Sequence, residues 1–341
     1  MAGMAGLITS TSFSNTNPPL DSVKKLDITA MGANFYFNKN GKFKILQITD
    51  THYVAGNPKS VRALDNVKQM LDLEKPDLVI HTGDVVYGKP AEQSLREILA
   101  PISERQIPFF VTFGNHDEEY DRTREEMLNV VMSIPYNLNK RIPDIHGVSN
   151  GILTVSSAKD DKVQRVLYIF DSNAYSKIGS IKGYDHIRFN QIAWYRKNSE
   201  EFTKLNGNIP IPSLAFFHIP LLEHREAITD HANSETRGTK AELIASSKIS
   251  SGLFASMKEM KDIQAMFVGH DHNNDCSTLW NKMFFIFGRF SGCDTVYNDL
   301  KPNGARVIEL TENESSFRSW TRLFGGKIEQ DLKYPDDFIK K

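Results

Sequence analysis

Cysteine is scarce in this chain of 341 residues, charge of one sign does not dominate it, and no long apolar run is present. Its two cysteines, Cys276 and Cys293, cannot build a disulfide framework, and we expect two reduced thiols. Lys and Arg number 41 against 42 Asp and Glu, so the charge does not favour nucleic acid or an anionic membrane surface as a partner. No apolar stretch approaches the length of a transmembrane helix. These absences leave the composition of an ordinary globular protein.

The ends of the chain differ in composition from its middle. Residues 1–33 are polar and lack the basic start and continuous apolar stretch of a secretory signal, so we expect a loose leader and a cytoplasmic protein. Residues 34–324 contain no long linker and no internal repeat, and are predicted to form one domain. Residues 325–341 are polar and are predicted to form a peripheral tail.

Short apolar segments alternate with amphipathic ones along the predicted domain. This alternation predicts an α/β fold with a mostly parallel sheet and later antiparallel additions, in which ligands bind beyond the carboxyl ends of the strands. The predicted strands are Phe43–Thr49, Leu78–Thr82, Phe109–Phe113, Val166–Phe170, Ser213–Phe217, Ala265–Val268, Met283–Phe287 and Arg306–Leu310. The predicted helices are a segment from Val61 that ends before Pro76, a segment around Leu95–Ile102 that ends before Pro108, Thr123–Met132, Arg188–Lys204 and Gly252–Lys261.

Five short segments with metal-binding side chains follow apolar runs of this kind. They are Asp50-Thr51-His52, Gly83-Asp84, Gly114-Asn115-His116-Asp117, His218 and Gly269-His270-Asp271-His272. Because the carboxyl ends of parallel strands meet at one edge of a sheet, we expect these side chains to converge there. Mixed nitrogen and oxygen ligands suit Mn, Fe or Zn better than Mg or Ca, and the absence of cysteine from the segments argues against a structural zinc site.

The order of these segments resembles the signature of the calcineurin-like metallophosphoesterase superfamily: D-x-H, G-D, G-N-H-D/E, a lone His and G-H-x-H. Phe217–Leu221, Ser251–Phe254 and Gly269–Asp275 are similar to a subgroup related to the small purple acid phosphatases. The resemblance covers residues 43–312. It implies an α/β fold, a four-layer α/β/β/α sandwich with a mixed, mostly parallel sheet and an active site at the carboxyl ends of the strands.

The resemblance also implies two transition-metal ions, divalent or of mixed valence, that share one carboxylate. The first ion is assigned Asp50, His52, Asp84 and His272. The second ion is assigned Asp84, Asn115, His218 and His270. A shared carboxylate keeps two cations about 3.5–4 Å apart despite their repulsion.

Three further residues are candidates by the same resemblance. His116 is similar to the catalytic imidazole of the family and is predicted to protonate the leaving group or to bind the phosphate, the alternative being a histidine that only orients a ligand. Asp117 is a possible metal ligand or a group that orients His116. Tyr87 occupies the position of the iron-binding tyrosine of the purple phosphatases, but His52 is favoured as the ligand because Asp-x-His is complete in the wider superfamily.

The resulting prediction is a dinuclear metal-dependent phosphoesterase. It hydrolyses a phosphate ester, with phosphomonoesters favoured, by in-line attack of a metal-bridging hydroxide. Two alternatives stay open, a phosphodiesterase that uses the same site and a non-catalytic scaffold on the same fold. The substrate-binding residues, the specific ester and the oligomeric state have no recognisable signal in the sequence.

Other conspicuous residues have simpler interpretations. His81 lies inside a predicted strand and is expected to be a core histidine. His224 and Arg225 are expected in an exposed loop. Asp171, at the end of a predicted strand, either shapes the pocket or supports the fold, and Arg289 either contacts substrate or caps a strand.

Overall fold

The computed structural model describes residues 33–338. This part of the chain forms fourteen strands: β1 (Asn34–Tyr36), β2 (Lys42–Ile48), β3 (Leu78–Thr82), β4 (Phe109–Thr112), β5 (Gly151–Ser156), β6 (Val163–Ile169), β7 (Ser213–Phe216), β8 (Ser234–Arg237), β9 (Ile263–Val268), β10 (Ser277–Trp280), β11 (Met283–Phe287), β12 (Gly304–Thr311), β13 (Phe317–Leu323) and β14 (Ile328–Tyr334). It also forms six α-helices: α1 (Val61–Glu74), α2 (Ala91–Glu104), α3 (Arg124–Met132), α4 (Phe189–Leu205), α5 (Leu222–Thr229) and α6 (Leu253–Met260).

The strands form two mixed sheets. The six-stranded sheet has the order β14-β13-β12-β2-β3-β4, and the eight-stranded sheet has the order β1-β5-β6-β7-β9-β11-β10-β8. Parallel pairing joins β2, β3 and β4 in the first sheet and β6, β7, β9 and β11 in the second. The other strands add mainly antiparallel pairs, which are more numerous than the sequence suggested.

Alternation along the strands produces three separate apolar layers, because successive side chains of a strand point to opposite faces. In β2, Leu46 and Ile48 pack against helices α1, α2 and α3, whereas Phe43 and Ile45 face the other sheet. In β9, Met266 and Val268 belong to the layer that packs against α4, α5 and α6. The order is therefore helices, sheet, sheet, helices, and the predicted four-layer fold is confirmed.

Helix boundaries agree with the sequence signals to within a few residues. Helix α1 ends at Glu74, followed by Lys75 in the left-handed conformation and then by Pro76. Helix α3 begins with a capping box in which the Thr123 side chain accepts from the Glu126 backbone and the Glu126 carboxylate accepts from the Thr123 backbone, an arrangement that contributes about 1 kcal/mol.

The segment predicted to form a polar peripheral tail contains a strand. Strand β14 pairs antiparallel with β13 and extends the six-stranded sheet. The Tyr334 ring stacks on Phe317 with 4.6 Å between centroids, and Phe338 is buried beside it. The segment is polar because it forms an edge strand whose side chains, except Tyr334, are exposed or half-exposed. The predicted leader, except for Ala33, lies outside the described residues, so the division into leader, domain and tail stays a prediction.

Candidate metal centre

The five predicted segments converge at one end of the sandwich, and both sheets contribute to it. Strands β2, β3 and β4 deliver three of them from the six-stranded sheet, and β7 and β9 deliver the other two from the eight-stranded sheet. Backbone N–H of His270 donates to Asp50 Oδ2 at 3.0 Å. His218 Nε2 lies 3.1 Å from Asp84 Oδ2. These contacts join the two sheets across the site.

The local backbone is strained where these side chains leave their strands. Asp50, His52, Asp84 and His270 all have positive φ, between 44° and 75°, a conformation that costs L-residues free energy and is concentrated at functional sites. Close packing adds a further constraint, since a Cβ on Gly114 would collide with Asp84 Oδ1. The glycine in this motif is thus required by the approach of the Asp84 carboxylate.

Asp84 lies between two histidines that come from different sheets. Its Oδ2 is 3.4 Å from His52 Nε2 and 3.1 Å from His218 Nε2, and its Oδ1 accepts from the His116 backbone N–H at 2.9 Å. Three groups have candidate ligand atoms within 4.8 Å of one another: Asp50, His52 and His272; His52, Asp84 and His116; and Asp84, His218 and His270. Asp84 therefore has the central position that a carboxylate shared by two cations requires.

Two histidines of the cluster donate one ring N–H to a backbone carbonyl, which leaves the other ring nitrogen directed toward a carboxylate. His218 Nδ1 donates to Thr82 O at 2.7 Å, so in a neutral ring the lone pair on Nε2 faces the Asp84 carboxylate. In the same way His272 Nδ1 donates to Tyr297 O at 2.8 Å, leaving Nε2 on the side of Asp50. Hydrogen bonds of this kind orient metal-ligating histidines.

Four buried atoms of the cluster have no hydrogen-bond partner among residues 33–338: Asn115 Oδ1, His270 Nε2, and Nδ1 and Nε2 of His52. Unpaired buried polar atoms are costly. Cations ligated by these oxygen and nitrogen atoms would satisfy them, so the side chains present fit a transition-metal centre.

The electrostatics show the same need for positive charge. Burial raises the pKa of Asp50 to about 6. Burial lowers the pKa of His218, but the Asp84 carboxylate outweighs burial and the result is about 9. Burial lowers the pKa of His272 to about 3 and that of His270 well below its ordinary value. Neutral imidazoles with available lone pairs are the form that binds metals.

His116 is oriented by a residue that the sequence analysis missed. Its Nδ1 donates to Glu119 Oε2 at 2.6 Å, because a carboxylate can only accept. Asp117 does not make this contact. Its Oδ1 accepts from the backbone N–H of Val85 and Val86 and its Oδ2 from that of Gly114. The suggestion that Asp117 orients His116 was therefore wrong, and Asp117 instead ties the Asp84 and Asn115 loops together.

Tyr87 packs edge-on against two of these histidines. Its ring centroid lies 5.3 Å from that of His52 and 4.9 Å from that of His116. The choice of His52 over Tyr87 as the ligand stays a prediction, and it agrees with the presence of His52 in two of the three candidate groups.

A second missed contact involves Tyr175. Its hydroxyl accepts from Asn115 Nδ2 at 3.1 Å and donates to Glu119 Oε1 at 2.5 Å. Glu119 could have been considered from its position one helical turn after His116, since side chains three apart are neighbours. Tyr175 has no such signal, because it lies 56 positions from Glu119.

Three of the residues with simpler interpretations proved structural. His81 is a core histidine whose Nε2 bonds Thr51 Oγ1 at 3.0 Å. Arg289 is buried and pairs with Asp275, and Asp171 pairs with Arg124. The prediction that His224 lies in an exposed loop was wrong. His224 lies within α5 and is only 1% exposed, and its ring packs edge-on against Phe285 and Phe287.

Comparison with known proteins agrees with this fold. Residues 43–274 match the family described as Calcineurin-like phosphoesterase, and the chain belongs to that family. It is 31% identical to "Probable inactive purple acid phosphatase 29" of Arabidopsis thaliana, in an alignment that covers 86% of each chain. It is also 31% identical to "Phosphatase DCR2" of Saccharomyces cerevisiae, over 85% of this chain and 55% of the yeast protein. The chain thus spans about half of that relative.

Solved structures with the same fold include a dimetal phosphatase from Danio rerio, with a TM-score of 0.58 at 13% identity, covering 85% of this chain and 98% of that one. GAP50, the anchor in the inner membrane complex of Plasmodium, has a TM-score of 0.50 at 13% identity, covering 88% of this chain and 90% of that one. Within residues 33–338, no helix combines the length and apolarity needed to cross a membrane.

Proposed function

We propose that the protein is a dinuclear metal-dependent phosphoesterase that favours phosphomonoesters. The observation that carries the proposal is the position of Asp84, whose Oδ2 lies within 3.4 Å of histidines from both sheets. Asp50, His52, Asp84 and His272 would hold one cation, and Asp84, Asn115, His218 and His270 the other. Two such cations, of Mn, Fe or Zn, would supply positive charge at the phosphate and an activated water.

His116 would act on the leaving group. The His116 ring donates its Nδ1–H to Glu119. The other ring nitrogen, Nε2, is therefore the one that can transfer a proton to the leaving group. When both nitrogens are protonated, Nε2–H can be donated to the departing alkoxide, a contribution of roughly 10²–10⁴-fold in typical enzymes. The His116 backbone N–H donates to Asp84 Oδ1, which places the imidazole beside the shared carboxylate.

Phosphomonoesters are favoured over diesters by the relatives. The yeast protein is named a phosphatase and the plant protein a probable inactive purple acid phosphatase. The near balance of 41 basic and 42 acidic residues argues against long nucleic acids as diester substrates, because binding to them depends on many cationic contacts.

A scaffold on the same fold is the second candidate. The plant relative is named probably inactive and GAP50 is named an anchor. Against the scaffold stands the cluster itself, since buried carboxylates, neutral imidazoles and unpaired atoms destabilise a fold unless a ligand satisfies them. A protein that only binds partners has no need of this arrangement.

Metal content and turnover separate these candidates. The purified protein, reconstituted with Mn, Fe or Zn, should bind two equivalents and hydrolyse a phosphomonoester faster than a phosphodiester, with phosphopeptides as a third substrate class. His116→Ala should lower the rate of hydrolysis roughly 10²–10⁴-fold and keep both metals. The control is His231→Ala, on an exposed loop. Absence of bound metal in the wild type would favour the scaffold, and full activity of the His116 variant would remove the imidazole from the chemistry.

A further inference from the structure

We propose that Tyr175 is a positioning residue that sets the direction of the Asn115 amide and, through Glu119, the orientation of His116. The inference rests on the proposed function and deepens it, because it links a predicted metal ligand to the predicted proton donor through one hydroxyl. The contacts are those of the Tyr175 hydroxyl with Asn115 Nδ2 and Glu119 Oε1.

The direction of each hydrogen bond in the series Asn115–Tyr175–Glu119 follows from its last acceptor, the Glu119 carboxylate. The Glu119 carboxylate can only accept, so the single proton of the Tyr175 hydroxyl points to Glu119 Oε1. The hydroxyl oxygen must then accept from Asn115, so the amide directs its NH₂ group to Tyr175. The reversed amide would place its oxygen against the hydroxyl lone pairs without a proton between them. Tyr175 and Glu119 therefore select one of the two amide orientations.

The selected orientation is the one that a cation requires. With NH₂ committed to Tyr175, Asn115 Oδ1 is the atom left over, and it is buried without a hydrogen-bond partner among the described residues. A carbonyl oxygen ligates cations, whereas an amide NH₂ does not. The same hydroxyl holds Oε1 of Glu119 while Oε2 accepts from His116 Nδ1, so it limits the rotation of the carboxylate that orients the imidazole.

The backbone around Tyr175 is arranged to hold this position. Tyr175 lies in the loop between β6 and α4 and pairs with Tyr184 in an isolated antiparallel bridge. Ser176 N–H donates to Gly183 O at 2.8 Å, and Asp185 N–H donates to Ala174 O at 3.0 Å. The Tyr175 side chain is 42% exposed, so burial in the core does not explain its placement. The hydrogen bonds of its hydroxyl with Asn115 and Glu119 explain the placement.

Removal of the hydroxyl should therefore affect metal binding and proton donation together. In Tyr175→Phe the amide is free to turn its NH₂ group inward, and we expect the affinity for one of two metal equivalents to fall roughly 10–100-fold, the usual effect of removing a group that orients a ligand. Turnover of an alkyl phosphate should fall more than that of p-nitrophenyl phosphate, because only the poorer leaving group depends on a proton from His116.

The test is calorimetric titration of the full-length apoprotein with Zn²⁺ or Mn²⁺ alone, followed by steady-state kinetics on phosphomonoesters of different leaving-group pKa. Tyr136→Phe is the matched control, since that side chain is 46% exposed and carries the same chemical change elsewhere. We expect the control to match the wild type. Equal metal affinity and equal leaving-group dependence in Tyr175→Phe and wild type would overturn the inference.

A second variant separates positioning from general damage. Asn115→Asp presents an oxygen whichever way it rotates, so in the Tyr175→Phe background it should restore the lost metal affinity. In the presence of Tyr175 the same change should be harmful, because the aspartate and Glu119 compete for one hydroxyl proton. Additive effects of the two substitutions would contradict the inference. Failure of the wild type itself to bind metal or turn over substrate would instead contradict the proposed function.

Discussion

Two buried polar clusters lie side by side at the carboxyl ends of the strands, and they differ in how completely they are satisfied. In the Arg124–Asp171 cluster, Asp171 Oδ1 accepts from Arg124 Nη2 at 2.6 Å, and its Oδ2 accepts from Arg124 Nε and the Val148 and Ser149 N–H groups. In the cluster around Asp84, buried nitrogen and oxygen atoms have no hydrogen-bond partner within the part of the chain that the structure describes. The hydrogen bonds of the first cluster are complete within the protein, whereas the proposed cations would complete the second.

The charges of the two clusters differ in the same sense. Burial raises the pKa of Asp171, but Arg124 outweighs burial and holds it at about 2. Burial raises the pKa of Asp50 to about 6, and the nearby imidazoles do not cancel that effect. Buried charge thus has two uses in one molecule. A carboxylate with its own guanidinium supports the fold, and carboxylates without a fixed cation form a binding site.

The largest effect is expected when the shared carboxylate is neutralised. Asp84→Asn should lower turnover at least about a thousandfold and reduce metal content, because loss of cations removes several kcal/mol of transition-state stabilisation and about 1.4 kcal/mol is tenfold in rate. Metal analysis and phosphatase assays measure both quantities, and circular dichroism checks the fold. If the variant kept two metals and near-normal rates, Asp84 would not have the shared position.

The next effect concerns the satisfied cluster and should appear as lost stability. Arg124→Ala leaves the buried Asp171 carboxylate unpaired and removes donors to Gly114 O and Phe113 O, so we expect a loss of about 3–5 kcal/mol in the free energy of unfolding. Urea denaturation measures it. Arg318→Ala is the control, because Arg318 pairs with Asp331 at the surface and such pairs contribute little. Equal losses in the two variants would show that burial of the Arg124 pair is unimportant.

The convergence of residues around Asp84 was easier to predict from the sequence than the neighbouring Arg124–Asp171 pair, and the reason is physical. Asp50, Asp84 and His218 each follow an apolar strand, and parallel strands bring their carboxyl ends together whatever the loop lengths. The Arg124–Asp171 pair joins the start of a helix to the end of a strand 47 positions away. No local pattern encodes that contact.

Contacts between segments far apart in the sequence were the least accessible to sequence reasoning. Tyr175 is held at the site by a backbone bridge to Tyr184 in the same loop. The buried position of His224 depends on packing against phenylalanines of β11. The strand at 328–334 was missed for a different reason, since an edge strand needs few apolar residues.

The smallest effect distinguishes the clusters by their pH dependence. In the metal-free protein the folded-state pKa of His218 is about 9, above its ordinary 6.5, because the Asp84 carboxylate outweighs burial. This stabilisation is complete below pH 6.5 and is lost as the pH rises through 9. Asp171 has the opposite sign, since its pKa of about 2 lies below 3.8 and its contribution is lost only as the pH falls toward 2.

The melting temperature of chelator-treated protein should therefore fall by a few degrees between pH 6.5 and 9. Added Zn²⁺ or Mn²⁺ should remove the fall, because a metal-binding imidazole must be neutral and its proton is displaced on binding. His218→Gln should reduce the fall without metal, because the imidazole with a pKa of about 9 is gone; His52 keeps part of the fall, since burial lowers its pKa but Asp84 raises it above the ordinary value. Arg124→Ala should keep the fall at a lower melting temperature. A flat profile for the metal-free wild type would mean that no proton takes the place of the missing cation beside Asp84, and the contrast between the two clusters would then rest on hydrogen bonding alone.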